Sequence, residues 1–162
     1  MISFDELRPI LTLLASLGCG LMAGVFFAFS TFVMKSFARL SAAEGMAAMQ
    51  SVNRTVLNPV FFTVFFGTAM VCLVTLADSL IYWQTPGAGW LLAGSLFYLI
   101  GTFGVTAIFN VPLNNALAAV APVEPEAGKL WANYQKSWTA WNHVRTAAGL
   151  AATASFVLAL RK

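Results

Sequence analysis

The chain has 162 residues, of which 59% are hydrophobic and 9% charged, whereas about a quarter of a soluble domain is charged. That balance excludes an ordinary water-soluble fold and indicates one membrane-embedded domain over residues 1–162. The net charge of +3 reads as contact with a lipid surface; no nucleic acid is expected as partner, since that needs clustered basic residues with exposed aromatics.

The charges are clustered, leaving 9–34, 55–77 and 79–123 free of Asp, Glu, Lys and Arg. Each window exceeds the ~20 residues a spanning helix needs. The last apolar window, 146–160, is shorter, and at ~1.5 Å per residue a helix must begin near Trp141 to cover a ~30 Å core. Helices are therefore expected at roughly 9–34, 59–83, 89–109 and 131–160. The fold class is all-α: a four-transmembrane-helix bundle with a short interfacial helix in the first long loop.

In chain order, "MISFDELRP" is acidic and precedes an apolar run too long for a signal peptide, and "SLGC" matches a lipoprotein box only loosely. Gly20 and Gly24 have the spacing of close helix packing, and Cys19 and Cys72 read as small core residues. Ser41 and Glu44 form a capping box that starts the short helix, with Met46 and Met49 on one side. Asn58-Pro59 is a helix start, with Asn as cap and Pro at the first position. "QTPGAG" is a short turn after the second helix, where Asp78 reads as a headgroup-level carboxylate. Asn110 is placed to cap a short segment forced by Pro112. "APVEPE" then breaks the chain before "KLWANYQ" resumes helical spacing. Lys35, Arg39, Arg54, Lys129, Lys136 and Arg145 lie on the long-loop side, against Arg8, Arg161 and Lys162 on the other. The positive-inside bias puts the long loops in the cytoplasm of a multi-pass plasma-membrane protein.

This topology gathers the unusual polar residues at one mouth: Asn53 and Asn58; Asn110, Asn114 and Asn115; and Asn142, His143 and Arg145 in "WTAWNHVR". Ser30 and Thr31 reach the same level. An arginine at full membrane depth costs ~2.5–3.5 kcal/mol, so polar groups there are expected to line a cavity. Asn58, Asn110, Asn114 and Arg145 should surround it. At 100° per residue, Trp131, Tyr134, Trp141, Asn142 and Arg145 fall within about 60° of Trp138, while His143 lies about 140° away beside Thr139. The aromatic residues suit either a cavity wall or an interfacial belt, and His143 either a base or a structural hydrogen-bonding group.

The motifs "GVFFAFSTFVM", "MAAMQSVNRTVLNPVF", "TAIFNVPLNNAL" and "WNHVRT", in this order, resemble the anthrone oxygenase-like family of small four-helix membrane proteins. Matching positions are Asn53, Asn58, Pro59, Asn110, Pro112, Asn114, Trp138, Asn142, His143 and Arg145. Asn115, where the family more often has an acidic residue, and Lys35, where it has proline, depart from the pattern. An Asn115 amide cannot act as a base. The resemblance implies oxidation of a lipophilic anthrone or phenolic substrate by molecular oxygen. In that scheme the substrate stacks on Trp138 and Trp141 within reach of Asn53 and Asn58, and His143 takes its proton. Asn110, Asn114, Asn142 and Arg145 hold the resulting oxyanion. One histidine, no Cys-x-x-Cys pair and no Gly-rich fingerprint point to no metal and no other cofactor. The alternative is a non-enzymatic membrane protein that binds a quinone, a membrane lipid or a partner subunit. A homo-oligomer, in which two lone histidines could meet, is compatible with either.

Overall fold

A computed structural model describes residues 4–162, with side chains from Glu6 onward; residues 1–3 of the acidic opening lie outside the described residues. The described residues are all-helical, in five helices: α1 (4–37), α2 (Ala42–Thr55), α3 (Pro59–Ile81), α4 (Ala88–Ala118) and α5 (Ala127–Ala159). Three of them, α1, α3 and α4, are long and apolar enough to cross a membrane. The expected fourth span does not reach that standard, because the first half of α5 carries Lys129, Lys136 and Arg145 among its tryptophans and amides.

Local chemistry sets the helix starts. Ser41 accepts from the Glu44 N–H while Glu44 returns the bond to the Ser41 N–H, completing the capping box. Asn58 Oδ1 accepts from the Phe61 N–H at 3.0 Å ahead of Pro59. Gly87, at φ 86°, makes the left-handed turn into α4. The largest departure from the expected boundaries is that α4 does not end near residue 109 but runs through Pro112 to Ala118; α1 also starts at residue 4 and not 9, and α5 at 127 and not 131. Proline clashes with the carbonyl four residues back in a regular α-helix. Here the preceding turn, Thr106–Asn110, is π-helical and wider. Asn110 is accordingly helical and caps nothing. Two further π-helical stretches are present, Phe97–Gly104 within α4 and Phe29–Val33, which interrupts α1 at the Ser30 position.

Helix α5 packs against α1 on one side and α4 on the other, and α3 closes the bundle between α1 and α4. The main core holds Met22, Phe65, Tyr98 and Phe156. A second core near the long loops joins Met46 and Met49 of α2 to Leu117, Trp131, Tyr134 and Trp138. Thus α2 is a packed cover over the α4–α5 end. Gln50 Nε2 clamps it by donating to the carbonyls of Leu117 and Val120, at 2.8 and 3.0 Å, groups that a helix end otherwise leaves orphaned.

Two readings of small features change. Asp78 is not a free carboxylate: it is buried and forked by Arg8 through Nε at 2.7 Å and Nη2 at 2.9 Å. A bidentate guanidinium replaces the water that a carboxylate at this depth would lack. Gly24 faces open space and Gly20 only ordinary contact with Thr153, whereas close approach occurs at other glycines, among them Gly149, where an added Cβ would stand 2.9 Å from Ala23 Cβ. Gly149→Leu should therefore wedge α5 from α1 and destabilise the fold by about 1–3 kcal/mol, read as an earlier thermal transition in detergent than Gly24→Leu.

Candidate functional site

Two polar stripes meet where α4 and α5 face each other. Along α4, Thr102, Thr106, Asn110 and Asn114 recur every fourth residue. Each meets α5: Thr102 Oγ1 donates to the Arg145 carbonyl at 3.4 Å, Thr106 Oγ1 accepts from Arg145 Nη1 at 3.3 Å, Asn110 Nδ2 donates to the Trp138 carbonyl at 3.2 Å, and Asn114 Oδ1 accepts from Tyr134 Oη at 2.9 Å. Asn53 of α2 completes this end by donating to Tyr134 Oη at 3.5 Å.

The other anchor is Asn142, 0% exposed. Its Nδ2 donates to the Phe26 carbonyl and to Ser30 Oγ, both at 2.7 Å, and its Oδ1 accepts from Arg145 Nη2 at 2.7 Å. Thr146 Oγ1 donates back to the Asn142 carbonyl at 2.9 Å and stands 3.1 Å from Ser30 Oγ. With Ser30 accepting from Asn142 and Thr146 donating to the carbonyl, the Ser30 proton is directed to Thr146, so the ring of bonds closes. One amide thus ties α1 to α5 and orients the guanidinium.

Arg145 is 4% exposed. Its guanidinium carbon lies 4.1 Å from the Phe26 ring centroid and 5.0 Å from that of Trp138. No carboxylate of the described residues is recorded as pairing with it; the Arg8–Asp78 ion pair is at the opposite mouth. A guanidinium has five N–H donors, and here two bonds are made, to Asn142 and Thr106. Among the described residues, four buried side-chain polar atoms have no partner, and three are Arg145 Nε, Trp138 Nε1 and Asn110 Oδ1. Each such group costs roughly 1–3 kcal/mol, so the clustering marks this as the least satisfied place in the interior.

The unsatisfied guanidinium borders a cavity of about 130 Å³ whose lining includes Asn53, Asn114, Thr106 and Trp138, with Phe29 and Leu57 among its apolar walls. Of the residues expected there, the structure brings together Arg145, Asn114, Asn53 and Trp138. Asn142 and Asn110 stand behind them, holding Arg145 and the Trp138 backbone.

Two expectations are corrected and a third is met. Asn58 does not line the cavity, because its amide is committed to capping α3 and to the carbonyls of Thr55 and Val56. Trp141 stacks on Phe109 with centroids 3.6 Å apart, sealing the α4–α5 seam outside the cavity. His143 lies where its register put it, beside Thr139 on the outer face of α5, exposed in a separate groove with Lys35 and Lys136. Trp131, Tyr134 and Trp138 are buried in a stacked ladder, with centroid steps of 5.7 and 6.1 Å, so they are packed core and not an exposed belt, and of the three Trp138 lines the cavity.

Thr106 and the Phe26 carbonyl were not foreseen. The four-residue spacing of Thr106 from Asn110 was a usable signal; a main-chain carbonyl leaves none. Among the described residues no group of three His, Cys, Asp or Glu side chains could hold a metal ion.

Asn142→Leu fills similar volume but leaves the Phe26 carbonyl and Arg145 without partners. It should cost at least about 2 kcal/mol, seen as a lowered melting temperature in detergent, whereas His143→Leu on the outer face should leave that temperature nearly unchanged.

Compared with known proteins, the chain matches the family described as anthrone oxygenase over residues 60–155, more than half its length, from the start of α3 to near the end of α5. No curated protein and no solved structure matches it.

Proposed function

The chain belongs to the anthrone oxygenase family, and from that premise we propose that it binds an anthrone-like or phenolic lipophilic molecule as its enolate and exposes it to molecular oxygen. The observation that carries this reading is Arg145, a buried guanidinium with an unpartnered Nε and no carboxylate, facing a cavity between aromatic walls. A fixed cation without a counter-ion favours whatever negative charge enters beside it, and in a water-poor site it acts without reorganising.

The chemistry asked of the protein is modest. A CH₂ flanked by two aromatic rings and activated by the ring carbonyl loses a proton, and the enolate oxygen lies against Arg145 with Asn114 and Asn53 beside it. The electron-rich carbon then reacts with O₂; the CH₂ and O₂ give a C=O and one water. With His143 on the outer face, the proton passes to water at the long-loop mouth, driven by stabilisation of the anion. In this scheme neither a metal nor an organic cofactor takes part. The cavity is smaller than the ~300–1,000 Å³ of ordinary ligand sites, so substrate entry displaces part of the α2 cover, where Met49, Val52 and Asn53 line it.

The same reading places α5 across the bilayer as a fourth span, with its apolar 146–160 in the core and Arg145 near the interface. The Lys and Arg excess then puts the long loops in the cytoplasm of the plasma membrane. A second reading is favoured by one observation, the lack of any acid–base side chain in the lining: the cavity would hold a quinone without turning it over.

Oxygen uptake by the purified protein with a dithranol-like anthrone tests the proposal. Arg145→Lys, which keeps charge but loses the fixed fork, should lower kcat by about 10²–10³ while leaving the melting temperature within a few degrees. His143→Ala should turn over normally. Full activity in Arg145→Lys refutes the anion site; bound quinone with no uptake by the unaltered protein establishes the binder instead.

A further inference from the structure

The fourth unpartnered buried polar atom, Gln135 Nε2, belongs to a different place. It borders the groove on the outer face of α5, about 490 Å³ in volume, between that helix and the end of α1. Lys35 reaches it from α1, and Lys136, Thr139 and His143 from successive turns of α5. Lys35, Lys136 and His143 are all exposed, and no salt bridge joins either lysine to an acidic residue among the described residues. The floor is apolar and small-sided, with Met34 buried and Ala132 and Ala140 along α5.

Depth along the helix orders these groups. From Lys136 to His143 is seven residues, about 10 Å. The lysines therefore stand at the outer end with the long loops, and His143 and Thr139 one to two turns deeper. Deeper along the same helix faces the exposed side chains are apolar, with Phe27 of α1 and Leu150 of α5 each about half exposed. The groove thus grades from two cations through neutral hydrogen-bonding groups to hydrocarbon-facing side chains, the order of chemistry along a phospholipid from phosphate through glycerol esters to acyl chain.

We infer that the groove between α1 and α5, headed by Lys35 and Lys136, is a binding site for one anionic phospholipid, its phosphate between the two lysines and its glycerol region beside Gln135 and Thr139. Basic pockets between membrane helices at the loop side take such headgroups because desolvated phosphate gains most from paired ammonium groups. The inference requires only that the chain sits in a bilayer, and it stands apart from the chemistry proposed for the inner cavity, from which Asn142 and Ser30 separate it.

The test is lipid retention by the full chain. Protein in detergent is given an equimolar mixture of dioleoylphosphatidylglycerol and dioleoylphosphatidylcholine, and the retained lipid is read by native mass spectrometry. One phosphatidylglycerol should be held with a preference of about 30-fold, as two lysine contacts predict. Lys35→Gln with Lys136→Gln should abolish the preference without changing the lipid-free melting temperature, since both side chains are exposed. Arg161→Gln with Lys162→Gln, at the other mouth, should preserve it. Equal retention of the two lipids, or a preference that survives the lysine double variant, overturns the inference. So does stabilisation by inorganic phosphate equal to that by phosphatidylglycerol, which would make the groove a free-anion site. Oxygen uptake has no part in this readout, so failure of either proposal leaves the other standing.

Discussion

Arg145 is a cation enclosed by protein with no carboxylate to meet it, and much of the long-loop half of the molecule is arranged around that fact. A buried charge is tolerable only when its donors are placed and its surroundings polarisable. Asn142 supplies the first condition and the Phe26 and Trp138 rings the second. Because Asn142 also holds the Phe26 carbonyl and Ser30, orienting the guanidinium and docking α1 on α5 are one act. The π-helical turns at Phe29–Val33 and Thr106–Asn110 lie at this level on the two helices that flank α5. A widened turn re-aims the side chains around it, and such turns concentrate at functional positions.

The two ends of the bundle handle charge in opposite ways. At the terminal mouth, Arg8 and Asp78 neutralise each other in a bidentate pair. At the long-loop mouth the guanidinium is held by neutral groups, so its charge remains available. The first arrangement is a structural fastening. The second leaves an electrostatic demand that a ligand with developing negative charge would satisfy, which is why the oxygenase-like reading rests there.

The outer and inner faces of α5 likewise separate two kinds of polarity. Tyr134, Trp138, Asn142 and Arg145 point inward with their partners on α1, α2 and α4. Lys136, Thr139 and His143 point outward to a groove on the surface. The polar start of α5 therefore carries two polar faces, and its weak claim to be a membrane span on composition alone follows from carrying both.

How much of this was legible in the sequence depends on whether a feature is local. Charge-free windows, the Ser41–Glu44 box and Asn58-Pro59 fixed the helix starts and most of their extents, because hydrophobicity and capping act within a turn or two. The register of α5 already put Arg145 and Asn142 with the aromatic face and His143 elsewhere, since helical geometry is periodic. What the tertiary structure alone decided was partnership. Asn58 and Asn114 are the same residue type at the same mouth, yet one is consumed by a cap and the other meets Tyr134 at the cavity, because only the latter's helix faces α5. Asp78 found Arg8 across 70 positions of chain, and α4 continued through Pro112 because a π-turn made room. Side-chain identity sets what bonds a group can make; which of them it does make depends on which helix stands opposite, and that is a property of the packed bundle.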